Sequence, residues 1–433
     1  MVKSPSEVMI AENKISYMEV MTMKKFAKVL ALCLALAMVV GCFAACGGKE
    51  NDEPKTLGMS ESPLPAAEIV KDYEIAEDFK IGFICLHDEK STYDKNFLDG
   101  ADAVIEALGL TEAQYVIKVN IPEGNECYEA AKDLAEQGCD IIFANSFGHE
   151  DFMIKAAKEY PDIEFCHATG FKAADEKLPN YHNAFASIFQ GRYLAGIVAG
   201  LKLNEMIEAG TITADQAKMG YVGAFTYAEV ISGYTSFYLG AKSVCPSVTM
   251  DVQFTGSWYD VTEEKNAAEA LIANKCVLIS QHADSMGAPS ACEAAGIPNV
   301  SYNGSTYDSC PETFMISSRI NWAPYFNYII KCANTNQEIA TNWCGGIGEG
   351  SVVLTGLNQD VIAEGTIDAV NKAIADMKAG TLKVFDVNNF TVGGEKVADS
   401  DLVYDGYFHE SEAISAPSFD LAVDGITRLN EKF

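Results

Sequence analysis

Basic residues are scarce in this chain. Only 31 Lys and Arg stand against 61 Asp and Glu in 433 residues, a formal charge of −30. Residues 1–46 hold five lysines (3, 14, 24, 25, 28) and three glutamates (7, 12, 19), so the remainder carries −32. Such a surface repels phosphate backbones and anionic headgroups, which excludes nucleic acid as a partner. Tryptophan is rare, with three in the chain, and histidine nearly so, with six. No apolar run reaches the 18 or more residues of a membrane-crossing helix. No CxxC, Cys/His zinc spacing, HExxH, GxSxG or P-loop lysine occurs. "GGIGEG" at 345–350 has no Lys-Ser/Thr after it and opens no helix, so it reads as a tight crossing rather than a phosphate loop. Acidic residues abound, but nothing pairs them for acid–base work. An enzyme, a cofactor and a metal are therefore not expected.

The N-terminal region has a different character. Met23 opens "MKKFAKVLALCLALAMVVGCFAACGG", with Lys24, Lys25 and Lys28 ahead of an unbroken apolar run from Val29 to Val40. A run of this length suits a secretory signal and is too short to span a bilayer. It ends in small residues before Cys42 and again before Cys46, which fits a lipoprotein cleavage box. Diacylation of either cysteine gives stable membrane anchoring. Cys46, followed by the polar Gly47–Asp52, fits the start of a tether slightly better than Cys42 does. Residues 1–22 read as an upstream extension, 23–46 as the signal peptide and 47–78 as a flexible tether. The protein is then expected on the extracytoplasmic face of the cell membrane. The ten cysteines from Cys85 to Cys344 fall mostly in apolar runs and read as small buried hydrophobes rather than a disulfide framework.

From residue 79 on, strand-like and helix-like segments alternate. "KIGFICLH", "YVIKVNI", "CDIIFANS" and "IEFCHAT" read as strands between helical stretches, and the order recurs with "KMGYVGAF", "VTMDVQFTG", "CVLISQHA" and "NVSYNG". Alternation of this kind means parallel sheets with right-handed crossovers. Two passes about 140 residues apart mean two Rossmann-like lobes of one design. The apolar helix "QGRYLAGIVAGLKL" lies between them. Ligands of open parallel sheets bind beyond the carboxyl ends of the strands. Gln281, His282 and Asp284 stand at one such end, Ser146 and Phe147 at another, and His87 and Asp88 at a third. A cleft between the lobes can close on a small molecule.

Several segments, in order, resemble the basic-membrane-protein family of substrate-binding lipoproteins. They are "STYDKNFLDGA", "IFQGRYLAGIVAG", "MGYVGAF…VISGYTSFYLGAK", "FTGSWYD", "MISSRINWAPYF" and "GIGEGSVVLTGL". The resemblance covers about residues 79–390. It implies an α/β periplasmic-binding-protein type I fold, with an inter-lobe cleft and hinge crossovers. Lobe 1 is then expected at 79–190, lobe 2 at 191–315, and crossovers with elements completing both lobes at 316–433. It also implies a monomeric protein that binds a purine nucleoside or nucleobase and serves the permease and ATPase of an ABC importer. The same fold could instead present a sugar or signalling compound to a sensor.

Carried over by residue, the resemblance puts Tyr93 and Asp94 at an aromatic–amide pair of the family and Trp258 at an aromatic that stacks on the base. Asn303 falls where many members hold ribose hydroxyls with an aspartate, and Asn321 falls near a lysine of nucleoside binders. Gln281-His282-Ala283-Asp284 replaces a glycine-rich turn. Chemically, Tyr93, Phe97, Phe147, Trp258 and Trp322 are candidates to cover the faces of a heterocycle, a stacking worth roughly 1–3 kcal/mol per base. Core packing is the competing reading for Phe97, and core or hinge packing for Trp258 and Trp322. Asp94, Gln281, His282, Asp284 and Asn303 are candidates for its polar edge. Asp284 could equally cap the following helix.

Overall fold

The structure, a computed structural model, describes residues 57–412 and 414–433. Signal-peptide and lipidation assignments, Cys42 and Cys46 included, fall outside the described residues. Among the described residues no helix is long and apolar enough to cross a membrane.

Two sheets organise the chain. In the first, the order is β11 (Asn342–Gly345), β5 (Tyr181–Ala186), β4 (Glu164–Ala168), β3 (Ile141–Ala144), β1 (Ile81–Ile84), β2 (Tyr115–Lys118), all parallel. In the second it is β12 (Val352–Leu354), β10 (Phe314–Ile320), β9 (Asn299–Tyr302), β8 (Leu278–His282), β6 (Lys218–Gly223), β7 (Thr249–Phe254), β15 (Ile426–Arg428). Only β12, antiparallel to β10, breaks the parallel run. The five-strand arrangements β5-β4-β3-β1-β2 and β10-β9-β8-β6-β7 are topologically identical. This is an α/β molecule of two Rossmann-like lobes.

The central strands are buried on both faces, as parallel strands flanked by helices must be, while the edge strands β2, β11 and β15 are partly exposed. Ile81, Ile84, Ile141, Ile142 and Phe143 have no accessible surface to within 1%. The chain passes between lobes three times. It leaves β5 for the helix Ile188–Glu208, leaves β10 for the helix Ala323–Thr335, and runs from β11 to β12 through the glycine-rich loop. The helix after β10 returns to the first lobe, where Phe326 lies edge-on against Phe83 and Phe143 at 5.0 and 4.9 Å. The second lobe's sheet thus takes in all of β10, Phe314–Ile320, and the crossover begins only beyond it. Both sheets gain an edge strand from late in the chain, β11 in one and β12 and β15 in the other.

The segment 57–78 departs from the expected tether. Ser60 N donates to the Leu357 carbonyl at 2.8 Å, and Leu354 N donates to that of Leu64 at 2.9 Å. Tyr73 Oη donates to Asn327 Oδ1 at 2.8 Å, and both Leu64 and Tyr73 are buried. Two apolar anchors spaced along a polar stretch create no periodicity, so the sequence reads as linker while the fold holds it down. The cysteines follow the apolar reading: among the described residues all ten are free, and all but Cys344 are buried.

Helices Ile188–Glu208 and Ala228–Val244 cross in near contact, permitted by glycine on each side. A Cβ at Gly240 would lie 2.0 Å from the Tyr193 carbonyl oxygen, and one at Gly196 would lie 2.0 Å from that of Phe237. We predict that Gly240→Ala forces the helices apart and lowers unfolding stability by about 1–3 kcal/mol, the usual range for overpacking. Denaturant titration checks this; a change below about 0.5 kcal/mol, the scale of a neutral surface substitution, would contradict the contact.

Candidate functional site

The strand order reverses where β1 meets β3 and where β6 meets β8. At such switch points, crevices open beyond the strand ends. The loops after these and the neighbouring strands converge on a gap between the lobes. The first lobe contributes Leu86, His87, Tyr93, Asp94, Ser146, Phe147 and Thr169. The second contributes Glu229, Trp258, His282, Asp284 and Tyr302.

Local structure fixes each group. Ser91 caps the helix Thr92–Leu108 by accepting from Asp94 N at 3.2 Å, which sets Tyr93 and Asp94 on its first turn. Tyr93 Oη donates to the Asn145 carbonyl at 2.7 Å. Asp94 Oδ1 accepts from Asn145 Nδ2 at 2.7 Å and from His87 N at 3.0 Å, and Oδ2 lies 3.3 Å from His87 Nδ1. Burial pushes the Asp94 carboxyl up, but the His87, Asn145 and Ser91 hydrogen bonds outweigh it and hold the group below the ordinary carboxylate range. Trp258 sits in the loop after β7, edge-on to Phe225 at 5.2 Å. His282 ends β8 with its ring 4.3 Å from that of Tyr302.

Asp284 joins the lobes. Its backbone oxygen accepts from Thr92 N and Thr92 Oγ1, both at 3.1 Å. Its Oδ1 accepts from Asn303 Nδ2 at 3.3 Å, and Asn303 Oδ1 accepts from Asn96 Nδ2 of the first lobe at 2.9 Å. Burial, then the neighbouring Glu264, Asp94 and Glu229 charges, push the Asp284 carboxyl well above its ordinary value. That shift favours the protonated form, which can both donate and accept. These bonds across the gap describe a closed arrangement of the lobes.

Of the buried side-chain polar atoms without a protein partner, three belong to residues that line the gap: Nδ1 and Nε2 of His282 and Oη of Tyr302. His282 Nε2 lies 3.5 Å from Glu229 Oε1, too long for a good hydrogen bond. Burial lowers the His282 pKa despite Glu229, so the ring is neutral. An unpaired buried polar group costs about 1–3 kcal/mol, and its retention beside a void marks a place where something else completes the bond. No lysine or arginine lines the gap among the described residues.

Of the expected residues, the fold gathers Tyr93, Asp94, Ser146, Phe147, Trp258, His282 and Asp284 around this gap. The others are placed elsewhere. Phe97 and Trp322 are each 1% exposed and stack on one another at 4.4 Å in the first lobe's core. Gln281 falls on the opposite pleat from His282, where its Oε1 accepts from Asn299 Nδ2 at 3.0 Å. Asn303 stands one layer behind Asp284. Asn321 works at the hinge, accepting from Ala323 N at 3.2 Å and donating to the Gly350 carbonyl at 3.0 Å. Asp284 does not cap the next helix; Ser285 Oγ accepts from Gly287 N instead. Glu229, Tyr302, Thr169 and Leu86 join the lining unexpectedly. All lie just past, or at, the carboxyl end of a strand or on the first helical turn after one, so the strand-end rule applied to every strand reaches them.

Comparison with known proteins agrees with this architecture. Residues 83–384 match the Bmp family, described as ABC transporter substrate-binding protein PnrA-like. The chain belongs to the Bmp family of ABC transporter substrate-binding proteins. A purine-binding protein of Brucella abortus is 31% identical over 335 residues, covering 76% of this chain and 91% of that protein. A putative ABC transporter glucose-binding protein of Haloferax volcanii is 31% identical over 252 residues, covering 58% of this chain and 60% of that one. Among solved structures, an ABC transporter solute-binding protein from Conexibacter woesei superposes with a TM-score of 0.57 at 18% identity, covering 70% of this chain and 98% of that one. Proteins of this class work outside the cytoplasm and bring small molecules to a permease and its ATPase.

Behind the gap, Glu264 accepts from Ser285 N with both carboxylate oxygens, at 3.3 and 3.2 Å. Burial pushes its carboxyl up to about 7, against the hydrogen bonds from Ser285 and Asp260. A carboxyl raised from 4.5 binds its proton more readily folded than unfolded, so stability is full below pH 4.5 and declines as pH rises through about 7. We predict that Glu264→Gln flattens the fall in melting temperature between pH 4.5 and 7. A slope equal to wild type would contradict the burial of this group.

Proposed function

We propose that this protein captures an uncharged purine base or nucleoside between its lobes and delivers it to an ABC importer. The observation that carries this reading is the composition of the gap walls. Tyr93 from one lobe and Trp258 from the other provide aromatic surface. Asp94, Glu229 and Asp284 provide carboxyl groups, with His282 and Tyr302 adding unpartnered polar atoms. A purine answers each feature, offering flat faces for stacking and N–H and ring-nitrogen groups for the edge. An anionic nucleotide does not, because no cation faces it.

The mechanism is closure without chemistry. Ligand contacts on both lobes favour the closed form over the open one, and the permease responds to that form. The Brucella relative's name supports a purine; the Haloferax relative's name supports a sugar, whose hydroxyls could also reach the carboxyl groups. We read residues 23–46 as a lipoprotein signal with Cys46, or Cys42, lipidated. On this reading the protein acts as a monomer held at the outer face of the membrane.

Thermal-shift titration tests the ligand class, because a tight ligand raises the melting temperature with excess concentration. We predict that purine bases or nucleosides raise it by several degrees while the corresponding monophosphates leave it unchanged. A response to glucose alone would overturn the assignment. We also predict that Trp258→Ala weakens purine binding about tenfold or more, the scale of one lost stacking contact, with little loss of melting temperature. Unchanged affinity in calorimetry would remove Trp258 from the site.

A further inference from the structure

The helix Ile188–Glu208 carries an arginine into the second lobe, behind the wall of the gap. Arg192 is fully buried. Its Nη1 donates to the Ser301 carbonyl at 3.2 Å and to Ser318 Oγ at 3.4 Å. Its Nη2 donates to Ser280 Oγ at 2.6 Å and to Tyr221 Oη at 3.2 Å. All of these oxygens are uncharged. Nε has no partner, and no carboxylate pairs with the guanidinium among the described residues. Aromatic rings stand in for a counter-ion. The guanidinium carbon lies 5.0 Å from the ring centre of Phe237, 5.1 Å from that of Tyr302 and 5.5 Å from that of Tyr221. A buried cation without a carboxylate is costly to keep, so packing alone does not account for it.

The contacts of Arg192 run to the two strand ends that furnish the unpaired polar atoms of the gap. Ser280 stands two residues before His282 on β8, on the same face of the strand. Ser301 directly precedes Tyr302 on β9. The Tyr302 ring is thus held between the guanidinium at 5.1 Å and the His282 ring at 4.3 Å, while its Oη has no protein partner. Around the His282 imidazole stand Tyr302, Glu229 and Gly233 of the helix Ala228–Val244, and Tyr221, whose hydroxyl faces the same glycine. Asp94 and Asp284 line the same gap. A Cβ at Gly233 would come 2.5 Å from His282 Nδ1, so the ring is tightly enclosed on that side. Burial disfavours the imidazolium, Glu229 favours it and Arg192 opposes it. Without the Arg192 charge, only burial stands against Glu229.

We infer that Arg192 is a positioning residue for ligand capture, holding Tyr302 and His282 in place from behind the wall while its charge opposes a second positive charge on the imidazole. The inference rests on the purine reading of the gap. In that reading an uncharged His282 presents one donor and one acceptor, whereas an imidazolium presents donors only and cannot accept from a purine N–H. Arg192 itself touches no ligand; it acts through the two side chains in front of it.

Calorimetry with adenine and adenosine tests this on the full chain, at about pH 8 and about pH 5.5, on either side of the ordinary histidine value of 6.5. Arg192→Met fills similar space without charge, and Arg192→Lys keeps the charge but loses the fork. The readout is each variant's affinity relative to wild type at the same pH, so groups that titrate alike in both cancel. The methionine variant should bind about tenfold more weakly at the higher pH, the scale of one lost hydrogen bond to the ligand. It should fall about a further tenfold behind wild type at the lower pH, the effect of a shift of one pKa unit as His282 takes up a proton. The lysine variant should show the first loss and not the second. Circular dichroism melting checks the fold, and Arg192→Gln replaces the methionine variant should that one not fold. Wild-type affinity in the uncharged variant, or equal losses in both variants with no dependence on pH, would refute the inference and leave the purine reading standing. If neither probe binds the wild type, the purine reading itself fails and the inference falls with it.

Discussion

One buried residue, Asp284, ties the two lobes together beside the gap. Asp284 accepts at its backbone from Thr92 and at its side chain from Asn303, which Asn96 holds in turn. Each of those bonds crosses or supports the junction between lobes. A charged carboxylate in that place would face Asp94, Glu229 and Glu264 without a cation to balance it. Such an arrangement is costly in a medium that solvates charge poorly. Keeping the proton removes the repulsion and turns the group into a donor and acceptor. Its bonds across the gap run through the Asp284 backbone oxygen to Thr92 and through Asn303 to Asn96.

The walls of the gap extend the same logic. Aromatic rings come from both lobes, polar atoms on His282 and Tyr302 are left unpaired, and cations are absent from the lining. A protein of formal charge −30 already discourages anions at long range. The gap does so again at contact distance. What remains compatible is a neutral, flat molecule able to donate and accept along its edge.

Much of the architecture was legible in the sequence because parallel strands are short, apolar and bounded by helix signals. The repeat of the pattern revealed two lobes. β5 escaped notice, since "YHNAFA" carries His182 and Asn183 inside an otherwise apolar stretch. The fold buries both by pairing His182 with Glu164 at 2.8 Å and letting Asn183 cap Ala173 N at 2.8 Å. At the site, strand ends pointed to Ser146, Phe147, His282 and Asp284. Gln281 was misread because adjacent strand residues face opposite sides. Phe97 and Trp322 were left between a site and a core reading because aromatic residues near a cleft and in a core look alike in sequence; their stacking on each other places both in the core. Glu229 resembled an ordinary acidic residue of a helix's first turn, and only the strand-end rule carried past β6 onto the following helix reaches it.

The neutrality of Asp284 is the claim most directly open to measurement. Asparagine reproduces the shape and bonding of a protonated aspartate, whereas alanine removes both. Purine affinity measured by calorimetry at neutral pH should stay within a few fold of wild type in Asp284→Asn and fall at least tenfold in Asp284→Ala. Equal, severe losses in both variants would show that the ionised carboxylate is what the ligand and the junction require, and would contradict the account.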